Sequence, residues 1–103
     1  MININKDNFK SLVEENTALV VLDFYADWCG PCKLMAPVMA ELEGEYPDVF
    51  FGKINVDEEP DLARLFKIQS IPTIAIVKDN TFADMSVGYV PKAKISSLIE
   101  EYK

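Results

Sequence analysis

Trp28-Cys29-Gly30-Pro31-Cys32-Lys33 stands between two stretches of different pattern. Ahead of it, Leu19-Val20-Val21-Leu22-Asp23-Phe24-Tyr25-Ala26 is apolar on both faces apart from one aspartate. Such a run predicts a strand in the middle of a sheet that is covered on both sides. Behind it, residues 34–46 repeat apolar side chains at helical spacing, with Leu34, Val38 and Leu42 in one stripe and Met35 and Met39 beside it. Pro31 suits the start of that helix, because its missing N–H has no partner there in any case. Pro37 removes one hydrogen bond inside the helix. The periodicity continues beyond it, so a kink is predicted rather than a stop. The only two cysteines of the chain therefore fall where a strand hands over to a helix.

The flanking sequence extends this unit in both directions. Ile2-Asn3-Ile4 alternates as a short strand, and Asn5 can cap a short amphipathic helix over residues 6–15 that carries Phe9, Leu12 and Val13. After the Pro47-Asp48 turn, residues 49–56 read as a strand with Phe50, Phe51 and Ile54, and with Lys53 on the face of Phe51 and Asn55. Asp57-Glu58-Glu59-Pro60 opens a helix whose buried face is expected to be Leu62, Leu65 and Phe66. Ser70-Ile71-Pro72-Thr73 leads into a strand over 74–78, and Asp79-Asn80 fits a two-residue hairpin turn. Residues 81–87 return as an edge strand, and Gly88 breaks the run. Pro91 opens a last helix with Ile95, Leu98, Ile99 and Tyr102 on one side. Its lysines come first and its glutamates last. This opposes the helix dipole, so packing has to stabilise it. The pattern is that of an α/β domain, residues 1–103, whose helical crossovers demand parallel strands and whose hairpin demands an antiparallel pair.

The net charge is −7, with 17 acidic against 10 basic residues. Nucleic acid and anionic membrane surfaces would be repelled and are excluded as partners. There is no histidine, the commonest general base and metal ligand. No apolar run approaches the roughly 20 residues of a membrane span, and Met1-Ile2-Asn3-Ile4-Asn5 lacks the features of a signal peptide. A cytoplasmic location is expected. In a reducing compartment, a lone cysteine pair is more often catalytic or metal-binding than a structural staple.

The junction itself points to thiol chemistry. The reactive form of cysteine is the thiolate, and a helix N-terminus carries about half a positive charge and several unpaired N–H groups. Cys29, just before that terminus, is expected to be the nucleophile and the more exposed sulfur. Cys32, one turn in, is the resolving thiol. Asp23, buried if its strand is central, is the candidate base that deprotonates Cys32. Lys53 on the neighbouring strand could pair with Asp23 or reach solvent instead. Other readings stand beside this one. The cysteines could be half of a zinc site, though the chain has no further Cys or His to complete it, or they could be inert core residues. Pro72 could be an ordinary strand-start proline, since only about one X-Pro bond in twenty is cis.

Together these residues resemble the thioredoxin family. The likeness runs from Asp23-Phe24-Tyr25-Ala26 through the six-residue motif, Ala36-Pro37, Lys53 with Asn55-Val56-Asp57 and Ile71-Pro72-Thr73 to Val87-Gly88. The resemblance implies a thioredoxin fold, with a central five-stranded mixed sheet flanked by four helices. It also implies a protein disulfide reductase and electron carrier that is re-reduced by a thioredoxin reductase. Pro72 would be cis and lie against the cysteine pair. Disulfide-containing protein substrates would lie on Trp28, Gly30, Pro31, Ile71, Pro72, Val87 and Gly88. Asp23 and Lys53 map onto the family's buried carboxylate and its lysine. No cofactor or metal is called for, and a monomer is expected. Tyr25 stands where many members carry tryptophan, Ser70 where some carry glycine, and Asn80 where glycine is common; none of these removes a catalytic group. The rival reading is a binding module of the same fold in which redox activity is incidental. A third is an oxidase or isomerase of an oxidising compartment, where the residues between the cysteines usually differ.

Overall fold

Val20–Tyr25 (β2) takes the central position that its two apolar faces demand. In the computed structural model, which describes residues 1–103, the strands lie in the order β1-β3-β2-β4-β5. Here β1 is Ile2–Asn3, β3 Phe50–Asn55, β4 Thr73–Lys78 and β5 Thr81–Val87. The first three pair in parallel, and β4 and β5 pair antiparallel, so the sheet is mixed as expected. The helices are a π-helix at Lys10–Glu14, α1 at Gly30–Glu45, α2 at Pro60–Leu65 and α3 at Lys92–Tyr102. No helix is long and apolar enough to cross a membrane.

Alternation along the strands builds two cores. On one face Val21, Phe51, Ile74 and Ile76 pack under Met35, Met39 and Leu42 of α1 and Ile95, Leu98 and Ile99 of α3. On the other, Val20, Leu22, Phe24, Ile54, Ala75 and Val77 pack under Phe9, Val13, Leu62 and Phe66. Asp23 and Lys53 are paired in register on neighbouring strands, and by alternation both belong to the face that α1 covers.

Several elements differ from the sequence expectation. Asn5 Oδ1 accepts from the N–H groups of Asp7 and Asn8 in the turn ahead of the first helix, which has no side-chain cap at Phe9 and is a π-turn closed by Glu15 N–H on Lys10 O. Leu34 is 62% exposed. The buried stripe of α1 is Cys32, Met35, Met39 and Leu42, because the helix starts with Cys32 facing inward. Leu65 is likewise outside the core: α2 spans under two turns and presents only Leu62 and, at its end, Phe66. α1 continues through Pro37, which lies on the solvent side. Asp79 and Asn80 both adopt positive φ, the arrangement of a type I′ hairpin turn. The lysine-first polarity of α3 has an answer from outside the helix. Lys92 Nζ lies 3.2 Å from Glu41 and 2.6 Å from Glu45, both on α1.

Gly52 leaves room for no side chain. A Cβ there would stand 2.7 Å from Ile4 Cγ1 and 3.2 Å from Leu22 Cδ2. Asp23 is the one charged side chain in the buried set, at 4% exposure, and its Oδ1 has no hydrogen-bond partner. Burial pushes its pKa up from 3.8 to about 6, and the positive charge of Lys53 offsets only part of that rise.

Two outcomes are expected. Gly52→Ala should lower the unfolding free energy by about 1–3 kcal/mol in denaturant titration, because buried Ile4 has to give way; a neutral result would mean β1 shifts freely. The Asp23 carboxyl binds its proton more tightly folded than unfolded. Its ionisation therefore removes stability as pH rises from about 4 through about 6. Relative to wild type, oxidised Asp23→Ala should gain about 2 kcal/mol between pH 4 and pH 8. A stability difference that does not change with pH would contradict the raised carboxyl.

Candidate active site

The strand-to-helix handover places the two sulfurs. Cys29 is extended, with φ −88° and ψ 110°, and forms the N-cap of α1. Its Sγ accepts the Cys32 backbone N–H at 3.2 Å, and its carbonyl accepts from Lys33 N–H at 3.3 Å. Gly30 and Pro31, the first two residues of the helix, are exposed. Cys29 and Cys32 are joined as a disulfide, with their Cα atoms 5.3 Å apart. When the bond is reduced, the same N–H group and the helix dipole stabilise a thiolate at Cys29. The turn between the cysteines carries no acid, so nothing in it opposes that charge. The two cysteines are equally buried, at 4% and 5%, contrary to the expectation that Cys29 is the more exposed. The loop before β4 closes over Cys29, with the Ile71 carbonyl oxygen 3.9 Å from its Sγ. Position on the helix, not exposure, distinguishes the two sulfurs.

Two distant segments complete the outer surface. The Ile71–Pro72 peptide is cis. The Pro72 carbonyl accepts the Gly88 N–H at 2.8 Å, which ties the end of β5 to this loop. Gly88 has φ +87°, which a side chain would resist. Trp28 is 71% and Val87 55% exposed. Ile71 is half-buried and Pro72 buried, so Pro72 contributes mainly through its backbone. The Trp28 indole N–H donates to Asp57 Oδ2 at 2.8 Å, and Trp28 and Ile71 line a common hollow with Val56, Ala63 and Ser70.

On the inner side, Asp23 and Cys32 line a cavity of about 230 Å³ together with Met1, Tyr25, Asp27, Lys33, Ala36 and Lys53. Lys53 forms no ion pair with Asp23; its ammonium lies over the Tyr25 ring, 5.7 Å from the centroid. The residues singled out in the sequence thus divide into an outer set around Cys29 and an inner set behind Cys32. Sequence reasoning missed Tyr25 and Asp57 as members. Alternation places Tyr25 on the strand face of Asp23, two residues away, but gives it no role. Asp57 carries no local signal: it reaches Trp28 because β3 runs parallel to β2 and ends beside it. No group of three Cys, Asp or Glu side chains is placed to hold a metal ion.

Comparison with known proteins agrees with this geometry. The sequence model of the Thioredoxin family matches residues 1–101. Thioredoxin M-type, chloroplastic, from Chlamydomonas reinhardtii is 44% identical over 100 residues, covering 96% of this chain and 71% of that protein. Thioredoxin from Chlamydia caviae is 39% identical over 99 residues, covering 96% and 95%. A solved chain from work on the thiol resolving mechanism of yeast mitochondrial 1-Cys peroxiredoxin via glutathione/thioredoxin systems superposes with a TM-score of 0.89. It is 34% identical, over 98% of this chain and 94% of that one. With its fold, its cysteine pair and these relatives in agreement, the chain belongs to the thioredoxin family and is a thiol–disulfide oxidoreductase.

Proposed function

We propose that this chain, as a single domain spanning residues 1–103 and as a monomer, reduces disulfides in other proteins and carries electrons to them from a thioredoxin reductase. The observation that carries the reading is Cys29 at the N-cap of α1, with its Sγ on the Cys32 N–H. In the reduced protein the Cys29 thiolate attacks one sulfur of the target disulfide. That S–S bond breaks, a mixed disulfide forms, and the first target sulfur leaves as a thiolate that takes up a proton. Asp23 removes the proton from Cys32. The Cys32 thiolate then attacks Cys29 Sγ, closes the Cys29–Cys32 bond and releases the second target thiolate. Two electrons have passed to the target, and the reductase returns them to the cysteine pair. The cytoplasm suits this chemistry, because its thiols are kept reduced.

The outer set receives the target. Trp28, Gly30, Pro31 and Val87 offer exposed surface, Ile71 an apolar edge, and Pro72 and Gly88 a fixed backbone beside Cys29. Lys53 lines the Asp23 cavity and lowers the energy of the ionised carboxylate.

Turnover of a protein disulfide with a thioredoxin reductase and its electron donor tests the reading. Wild type should turn over, and Cys29→Ser should fall to background; equal rates would refute it. Cys32→Ser should accumulate the mixed disulfide and Cys29→Ser should not; trapping by both would refute the order of attack. Asp23→Asn should slow release of the reduced target about a hundredfold, the usual scale for loss of a general base, and leave the first attack nearly unchanged. In wild type the release rate should rise with pH through about 6 as Asp23 ionises. Release that is equally fast in Asp23→Asn would remove Asp23 from the mechanism.

A further inference from the structure

Lys53 stands in register with Asp23, yet the two do not form an ion pair. A buried carboxylate without a partner should attract an ammonium strongly, since the interior screens charge poorly. The cavity between the two residues gives the side chain room to move. The neighbour that occupies Lys53 instead is Tyr25, whose ring face lies 5.7 Å from Nζ. Tyr25 stands two residues beyond Asp23 on the same strand face and is half-buried. The ring of a phenol attracts an ammonium through its negative π face, most strongly where water is partly excluded.

We infer that Tyr25 is a positioning residue that parks the Lys53 ammonium on its ring, apart from Asp23, so that the carboxyl stays free to exchange a proton with Cys32. This rests on Asp23 acting as the base. The parking itself is a property of the resting, oxidised protein and is measurable without turnover. The burial of Asp23 agrees with it, because the rise in its pKa survives the presence of Lys53 in the same cavity. Tyr25 stays neutral in this role: burial first, with Asp27 and Glu58 nearby, pushes its phenol above the ordinary 10.0. The other charged groups facing the cavity are Asp27 beyond β2 and Lys33 on α1. The ammonium of Met1, which also lines the cavity, is held by Glu43 at 3.2 Å.

Without the ring, Lys53 is free to close on Asp23. Carbon-13 NMR titration of the Asp23 carboxyl in the oxidised protein tests this. In Tyr25→Leu the midpoint should fall by about one pH unit, the scale on which an opposite charge brought into contact acts. Tyr25→Val, a second ring-less variant suited to a strand, should behave alike. Tyr25→Phe and Tyr25→Trp keep an aromatic face and should keep the wild-type midpoint, which separates the ring from the hydroxyl. In a Lys53→Met background Tyr25→Leu should have no further effect. A midpoint unchanged or raised in both Tyr25→Leu and Tyr25→Val would overturn the inference, as would an equal fall in the Lys53→Met background. The pH profile of target release, measured on the same variants, should move with the NMR midpoint. If the midpoint moves and the profile does not, the parking stands and the role of Asp23 as base falls.

Discussion

The parallel pairing of Val20–Tyr25 with Phe50–Asn55 is the constraint on which the site depends. Parallel strands end on the same side, so the loops that follow them meet. The first carries Trp28, Cys29 and the start of α1, and the second carries Asp57. The same register sets Asp23 opposite Lys53 and Tyr25 opposite Asn55. A slip of one residue in either strand would turn Asp23 or Lys53 to the opposite face and break up the facing pair in the cavity behind Cys32. Interactions far apart in the chain, such as the Trp28 indole on Asp57, follow from that one pairing.

The helix N-terminus adds the second ingredient. α1 needs acceptors for its first N–H groups, as every helix does. Here a sulfur takes that place, so one contact caps the helix and holds Cys29, the proposed nucleophile. The antiparallel half of the sheet closes the arrangement. β4 begins at Thr73, directly after Pro72, and β5 ends at Val87, directly before Gly88. The Gly88 N–H on the Pro72 carbonyl therefore lies at the register end of the ladder and fixes two loop segments with one bond.

Patterns within one element were legible in the sequence. Alternation in residues 19–26 located the central strand and the face of Asp23, and the Asp79-Asn80 pair located the hairpin. Helix phase was less legible. Leu34, Val38 and Leu42 make one plausible stripe and Met35, Met39 and Leu42 another; both contain Leu42 and differ by a small rotation. The choice is made by Cys32, whose inward direction comes from the turn before the helix. Leu65 was misplaced for a related reason: a helix of six residues has too few turns to show a face. Compensation between elements was not legible at all. Lys92 opposes the dipole of α3 but meets Glu41 and Glu45 of α1, about fifty residues earlier.

The buried aspartate is where the sequence departs from what stability alone would select. An apolar residue in the centre of β2 would spare the fold an uncompensated carboxylate. The departure fits the proton transfer that the proposed mechanism requires. Moving a proton from a thiol of pKa about 8.5 to a carboxylate at 3.8 is uphill by about 6 kcal/mol. With the carboxyl at about 6 the step is uphill by only about 3 kcal/mol. At neutral pH such a carboxyl is still about nine-tenths ionised and able to accept. A full ion pair with Lys53 would return it toward the ordinary range and reinstate the steeper step. Without Lys53 it would rise further and be ionised less often. The useful state lies between these, with a cation near enough to keep the carboxylate accessible and held far enough away to leave it basic.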